Sequence, residues 1–160
     1  MKMPIAPTIE EVKEALLALG DELQEAEAVG IFGSLVRGDF SPTSDIDIFV
    51  VVKEDRNEGG CLEVDDLWWR RIRDALRKFQ RDVTVLVYST EGLRKISNWY
   101  VLRLASDGIL VFDQGGIREL FDKILEVAKK AGLRQVKRGE HWVWSAPDLK
   151  LGEVLDLEVE

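Results

Sequence analysis

The 160-residue chain predicts an α/β fold: a small mixed β-sheet with helices mainly on one face, a working site at the sheet's rim, and a C-terminal extension. Three observations predict it. Ala28–Phe32, Ile46–Val52 and Val83–Tyr88 are short apolar runs of strand length, the last two rich in β-branched residues. Between them lie stretches with apolar residues at helical spacing, and strands alternating with helices build a sheet that helices cover. Glycine and small polar residues stand at the changeovers.

Taken in order, Thr8-Ile9-Glu10-Glu11 reads as a capping box, in which the Thr8 hydroxyl and the Glu11 carboxylate satisfy helix-end amides reciprocally. Ile9, Val12, Leu16 and Leu19 follow at helical spacing, and Gly20 closes that helix. The Ala28–Phe32 strand stops at Gly33-Ser34, where the chain turns into a short helix. Ile46–Val52 is long and apolar enough for a buried strand. Lys53 to Gly60 reads as a polar loop with a Gly-Gly pair and is expected to be mobile.

From about Asp65 to Gln80, Trp68, Ile72, Leu76 and Phe79 form one stripe. Arg70, Arg71, Arg73 and Arg77 lie largely off it, as the wet face of an amphipathic helix. Val83 to Tyr88 is the third strand. Helical stretches follow at Thr90–Asp107, broken near Asn98, and at Ile117–Ala131, with the short strand Ile109–Phe112 between them. Gly132 ends the last helix after Lys129 and Lys130. Residues 1–132 are expected to form the domain and residues 133–160 a β-rich extension packed on or beside it. Within the extension, the alternation of Trp142 and Trp144 and that of Leu155, Leu157 and Val159 suggest two strands that pair as a hairpin.

Composition narrows the function. Hydrophobic residues make up 46% and charged ones 32%, as in an ordinary globular protein. No apolar run approaches the ~20 residues of a membrane span, and Met1-Lys2-Met3-Pro4-Ile5 lacks the apolar core of a signal peptide. The cytoplasm is the expected compartment. A single cysteine, Cys61, excludes an internal disulfide framework, and a single histidine, His141, excludes a multi-histidine metal site within one chain. The net charge of −8 argues against general nucleic-acid binding, which needs a basic surface. It does not argue against one nucleotide, because a divalent metal supplies local positive charge.

The chemistry is concentrated between Gly33 and Asp47. Asp45 and Asp47 stand two apart at the start of a strand, so both carboxylates project from one face while Ile46 and Ile48 project from the other. Two anions side by side call for a cation, and Mg²⁺ commonly joins one or two carboxylates to substrate phosphates. Gly33-Ser34 supplies the complementary half: a glycine admits close approach of a ligand, and the amides opening a helix form an anion site. Ten residues separate the two halves, and within them Arg37 can contact phosphates or brace the loop.

Gly-Ser, ten residues, Asp-x-Asp resembles the signature of the DNA polymerase β-like nucleotidyltransferase superfamily. Arg37-Gly38 and Ser44-Asp45-Ile46-Asp47 make the chain similar to its minimal nucleotidyltransferase branch, which includes antitoxin-like proteins encoded beside HEPN-domain partners. The resemblance spans roughly Ala28 to Phe112. It implies a third carboxylate on a neighbouring strand; Asp82, opening the Val83 run, is the candidate, with Asp55, Asp65, Asp66 and Asp74 as rivals. It further implies two Mg²⁺ ions at Asp45, Asp47 and Asp82, and in-line transfer of a nucleoside monophosphate, AMP from ATP, to an acceptor hydroxyl. The acceptor implied is a HEPN-family toxin. Transfer to a small hydroxylated molecule, and a module that masks its partner without catalysis, stay open as alternatives.

The remaining conspicuous residues have plainer expectations. Cys61 reads as a small filler or an incidental loop thiol, and His141 as a surface or packing residue. Trp142 and Trp144 divide between packing and a contact with a partner or a second copy of the chain. Base selectivity is looked for around Trp99 and Tyr100.

Overall fold

The computed structural model describes residues 6–53, 61–96, 99–139, 141–145 and 157–159, with the backbone alone for residues 61, 62, 141 and 142. Its elements run α1 (Ile9–Leu17), β1 (Ala28–Phe32), α2 (Ser34–Arg37), β2 (Ile46–Val52), α3 (Cys61–Ala75), β3 (Val83–Ser89) and α4 (Thr90–Arg94). Then come β4 (Lys95–Ile96), α5 (Trp99–Asp107), β5 (Ile109–Asp113), α6 (Ile117–Lys130), β6 (Arg134–Arg138), β7 (His141–Ser145) and β8 (Leu157–Glu158).

Because β2 is apolar on both sides, it can only sit inside a sheet. It pairs antiparallel with β1 and parallel with β3, and β5 joins the far side of β1 in antiparallel sense, giving the mixed order β3-β2-β1-β5. Two consecutive parallel strands need a crossover, and α3 provides it. Ile46, Ile48, Val50 and Val52 face a core shared with Val12 and Leu16 of α1 and with Trp68, Ile72 and Leu76 around α3. Phe49 and Val51 face a second core with Leu93, Leu102, Leu104, Phe121 and Ile124 from α4, α5 and α6. Helices therefore cover both faces, where one was expected to carry most of them. The cause is β2 itself, whose burial on one side only would leave Phe49 and Val51 in water.

Local signals account for the boundaries. The Thr8 hydroxyl accepts the Glu11 N–H at 3.1 Å and the Glu11 carboxylate accepts the Thr8 N–H at 3.0 Å, so the capping box forms as read. A 3₁₀ turn, Gly20–Glu25, follows α1. On α3, Arg70, Arg73 and Arg77 are exposed beside Asp66 and Asp74, the expected wet face. Arg71 differs: only 17% exposed, it reaches Glu22 and Glu25 of the 3₁₀ turn at 2.7 Å each. Trp69 is 39% exposed, with the Arg73 guanidinium 4.6 Å over its ring.

The break expected near Asn98 is broader than read, since the two-residue strand β4 intervenes between α4 and α5; Asn98 itself lies outside the described residues, as does most of the polar loop ending at Gly60. The C-terminal pairing also differs from expectation. β7 pairs with β6 through a short turn, whereas β8 pairs with β4. A short connection between neighbouring strands closes more readily than a long one. Val159, just beyond β8, is buried in the α4–α6 core. The side chains of Cys61, His141 and Trp142 lie outside the described residues. Among the described residues, no helix is long and apolar enough to cross a membrane.

Candidate active site

Between β1 and β2 the backbone makes a turn that glycine alone accepts comfortably. Gly33 has φ +77° and ψ −152°, a region almost closed to other residues. A side chain there would also run into the carboxylate of Asp47. The Ser34 N–H donates to that same carboxylate. The Gly33-Ser34 and Asp45/Asp47 halves of the motif are thus in direct contact through Asp47.

The loop from residue 39 to residue 45 is fixed from inside and from β3. The Ser41 N–H donates to Ser44 Oγ at 2.9 Å, and the two hydroxyls are 3.0 Å apart. The Arg81 guanidinium donates to the carbonyls of Ser41 and Ser44, the latter at 2.9 Å, and stacks 4.4 Å from the Phe40 ring. Arg81 lies two residues before β3, so the chain leading into the strand beside β2 also anchors the loop that delivers Asp45.

Asp45 and Asp47 come together as their spacing requires. Asp47 is half-buried, and its register partners are Phe32 on β1 and Thr84 on β3. The Thr84 hydroxyl donates to Asp45 Oδ2 at 3.0 Å. Burial, and then the neighbouring Asp45 charge, push the Asp47 carboxyl above its ordinary value; Arg37, Thr84 and the Ser34 N–H act in the opposite sense without cancelling them. A half-buried carboxyl beside a second carboxyl is a place where a hard cation would offset both burial and the like charge, so the donor chemistry fits a divalent ion at this pair.

Asp82 is not gathered with them. It precedes the first β2–β3 register pair, its side chain is exposed, and its carbonyl accepts the Ile46 N–H at 2.9 Å. Among the described residues, no three His, Cys, Asp or Glu side chains are placed to hold a metal ion. Thr84, two residues on, is the β3 side chain level with Asp47.

Asp47 and Thr84 open into a cavity of about 660 Å³. Leu86 and Tyr88 continue its β3 wall, since alternate residues share a face, and Tyr100 and Arg103 of α5 form another wall. Val143 of β7 closes part of it, and Trp144 Nε1 donates to Ser106 Oγ at 3.4 Å, joining the hairpin to α5. Gly33, Arg37 and Asp39 stand at the polar end, with Arg37 Nε 3.5 Å from Asp39. Burial, then the neighbouring Tyr100, push the Tyr88 phenol above its ordinary value. Tyr100 was expected at this site and is there; Trp99 does not line it. Thr84, Tyr88, Arg103 and Val143 were not anticipated. Thr84 alone had a signal, as the single polar residue inside an apolar strand run.

A nucleotidyltransferase-domain family model matches residues 9–105, more than half of the chain. No curated protein matches it. Similar solved structures include a toxin–antitoxin with AMP-PNP, 16% identical over 75% of this chain and 92% of its own, with a TM-score of 0.47. A mutant of the toxin–antitoxin MntA–HpeT is 13% identical over the same shares, TM-score 0.47. A putative nucleotidyltransferase from Sulfolobus solfataricus is 24% identical over 71% of this chain and 94% of its own, TM-score 0.34. With the matched segment running from α1 through the Gly33–Asp47 motif to α5, this chain belongs to the nucleotidyltransferase domain family.

Proposed function

We propose that this chain transfers a nucleoside monophosphate, AMP from ATP, to an acceptor hydroxyl, using Mg²⁺ at the Asp45–Asp47 pair. One observation carries the reading: Asp47 of β2, with Asp45 beside it, packs against Gly33 and accepts the Ser34 N–H where a cavity opens. A divalent ion bound there supplies charge neutralisation for the phosphates and for the departing pyrophosphate. The chain's own residues do the rest. Gly33 leaves the backbone bare where phosphates approach, and Arg37 adds positive charge at the same end. Leu86, Tyr88 and Tyr100 offer the apolar and aromatic surface that suits a nucleobase. In the transfer, the acceptor oxygen bonds to the α-phosphorus as its proton leaves to solvent, and the bond to the bridging oxygen breaks, releasing pyrophosphate.

The acceptor class rests on the resemblance of Arg37-Gly38 and Ser44-Asp45-Ile46-Asp47 to the minimal branch, which points to a HEPN-type toxin and makes this chain a cytoplasmic antitoxin. The test is Mg²⁺-dependent transfer of label from α-³²P-ATP, against other NTPs, with a HEPN partner or cell extract as acceptor. Label on protein, absent with Asp45→Ala/Asp47→Ala, is the expected result. A folded chain that binds and inhibits its partner without transferring label from any NTP would replace catalysis with masking.

A further inference from the structure

We propose that the β6–β7 hairpin is part of the nucleotide site, with Val143 as a wall of the cavity that sets how tightly a nucleotide is held. The proposal deepens the nucleotidyl-transfer reading and rests on it.

A cavity retains a ligand only when it is walled on several sides. β3 supplies one wall through Thr84, Leu86 and Tyr88, and α5 another through Tyr100 and Arg103. Neither β6 nor β7 belongs to the 9–105 segment that places the chain in its family, yet Val143 of β7 lines the same cavity.

An isolated two-stranded hairpin is marginal in water, so what it packs against decides where it lies. Neighbouring residues of a strand point to opposite faces. Trp144 is the anchor: it packs against the α4–α6 core, and its Nε1 donates to Ser106 Oγ at 3.4 Å. Val143, on the alternate face, is the side chain that meets the cavity. It is only partly buried, so some of its apolar surface is left for a bound nucleoside to cover. Along β6, Arg134, Lys137 and Arg138 are exposed. On a chain of net charge −8 they gather charge of the sign that draws a triphosphate. Binding and docking are thereby linked: a nucleotide that touches Val143 stabilises the docked hairpin, and a hairpin that does not dock weakens the nucleotide's hold.

The test uses the full chain with Mg²⁺ and a non-hydrolysable ATP analogue. Affinity is measured by calorimetry, and amide hydrogen exchange is followed with and without the analogue. Exchange in residues 141–145 is expected to slow on binding, and by more than in α1. Val143→Asp sets a carboxylate against the bound anion and is expected to weaken binding roughly tenfold or more. Exchange in residues 141–145 that does not respond to the analogue would overturn the proposal and leave nucleotidyl transfer standing. So would a Val143→Asp chain, folded by circular dichroism, that holds the analogue as tightly as the wild type. If Val143→Asp does not fold, the wild-type exchange result decides. A folded wild-type chain that binds no analogue of any NTP would overturn both.

Discussion

The two faces of β2 carry residues from the same seven-residue run and meet opposite fates. On one face, Ile46, Ile48, Val50 and Val52 are sealed under α1 and α3. On the other, Phe49 and Val51 are equally buried under α4–α6, but Asp47 lines the cavity near the strand's start and Asp45, just before it, is exposed. The strand's period of two separates a purely structural face from one that is structural at one end and chemical at the other. Burial is uniform along the dry face and graded along the working face, and the gradient places two charges where a ligand can reach them.

That contrast is sharpest if a charge is moved across the strand. Ile48→Asp places a carboxylate in the fully buried α1/α3 core with no cation beside it, and should cost on the order of 4–5 kcal/mol. Thermal or urea unfolding followed by circular dichroism would reveal it, and a variant as stable as the wild type would refute the dry-face reading. On the working face the opposite pattern is expected. Asp47→Asn should lower label transfer roughly 10²–10³-fold, equivalent to about 3–4 kcal/mol in the barrier. The midpoint of unfolding should not fall, because burial and Asp45 both oppose the charge that is removed.

Smaller changes probe what holds the two carboxylates in place. Gly33→Ala forces a side chain into a glycine-only conformation and into Asp47, a loss of about 1–3 kcal/mol. Activity should fall with it, and substitution at the conformationally undemanding Leu17 should do neither. Arg81→Ala removes two donors to the Ser41 and Ser44 carbonyls, costing about 1–2 kcal/mol. Hydrogen exchange should then quicken in residues 39–45 before it does in α1. Thr8→Ala is the mildest, at about 1 kcal/mol or ~2–4 °C. It breaks a cap on the dry-face helix, so label transfer measured well below the midpoint should be unchanged.

How much of this was legible beforehand follows the range over which each feature is decided. The capping box, the Gly33-Ser34 turn and the Asp45/Asp47 face are set by residues within a few positions of each other, and all could be read. The cover on both faces was implicit in β2, whose odd and even positions are alike apolar, but it was not drawn from it. Strand register depends on how two distant segments slide against each other, which no local pattern records. For that reason Thr84, level with Asp47, was passed over. Val143 was hidden for the same reason: it reaches the cavity only because β7 folds back onto β6 and Trp144 docks on α5.

β8 adds a mechanical consequence. By pairing with β4, donating the Val159 N–H to the Arg94 carbonyl at 2.9 Å and sinking Val159 into the core, the tail is latched to the end of α4 and to β4. The cavity wall bearing Tyr100 and Arg103 lies on α5, the next element along the chain. Tension or a bulky fusion at the tail would thus pull on the chain just ahead of that wall.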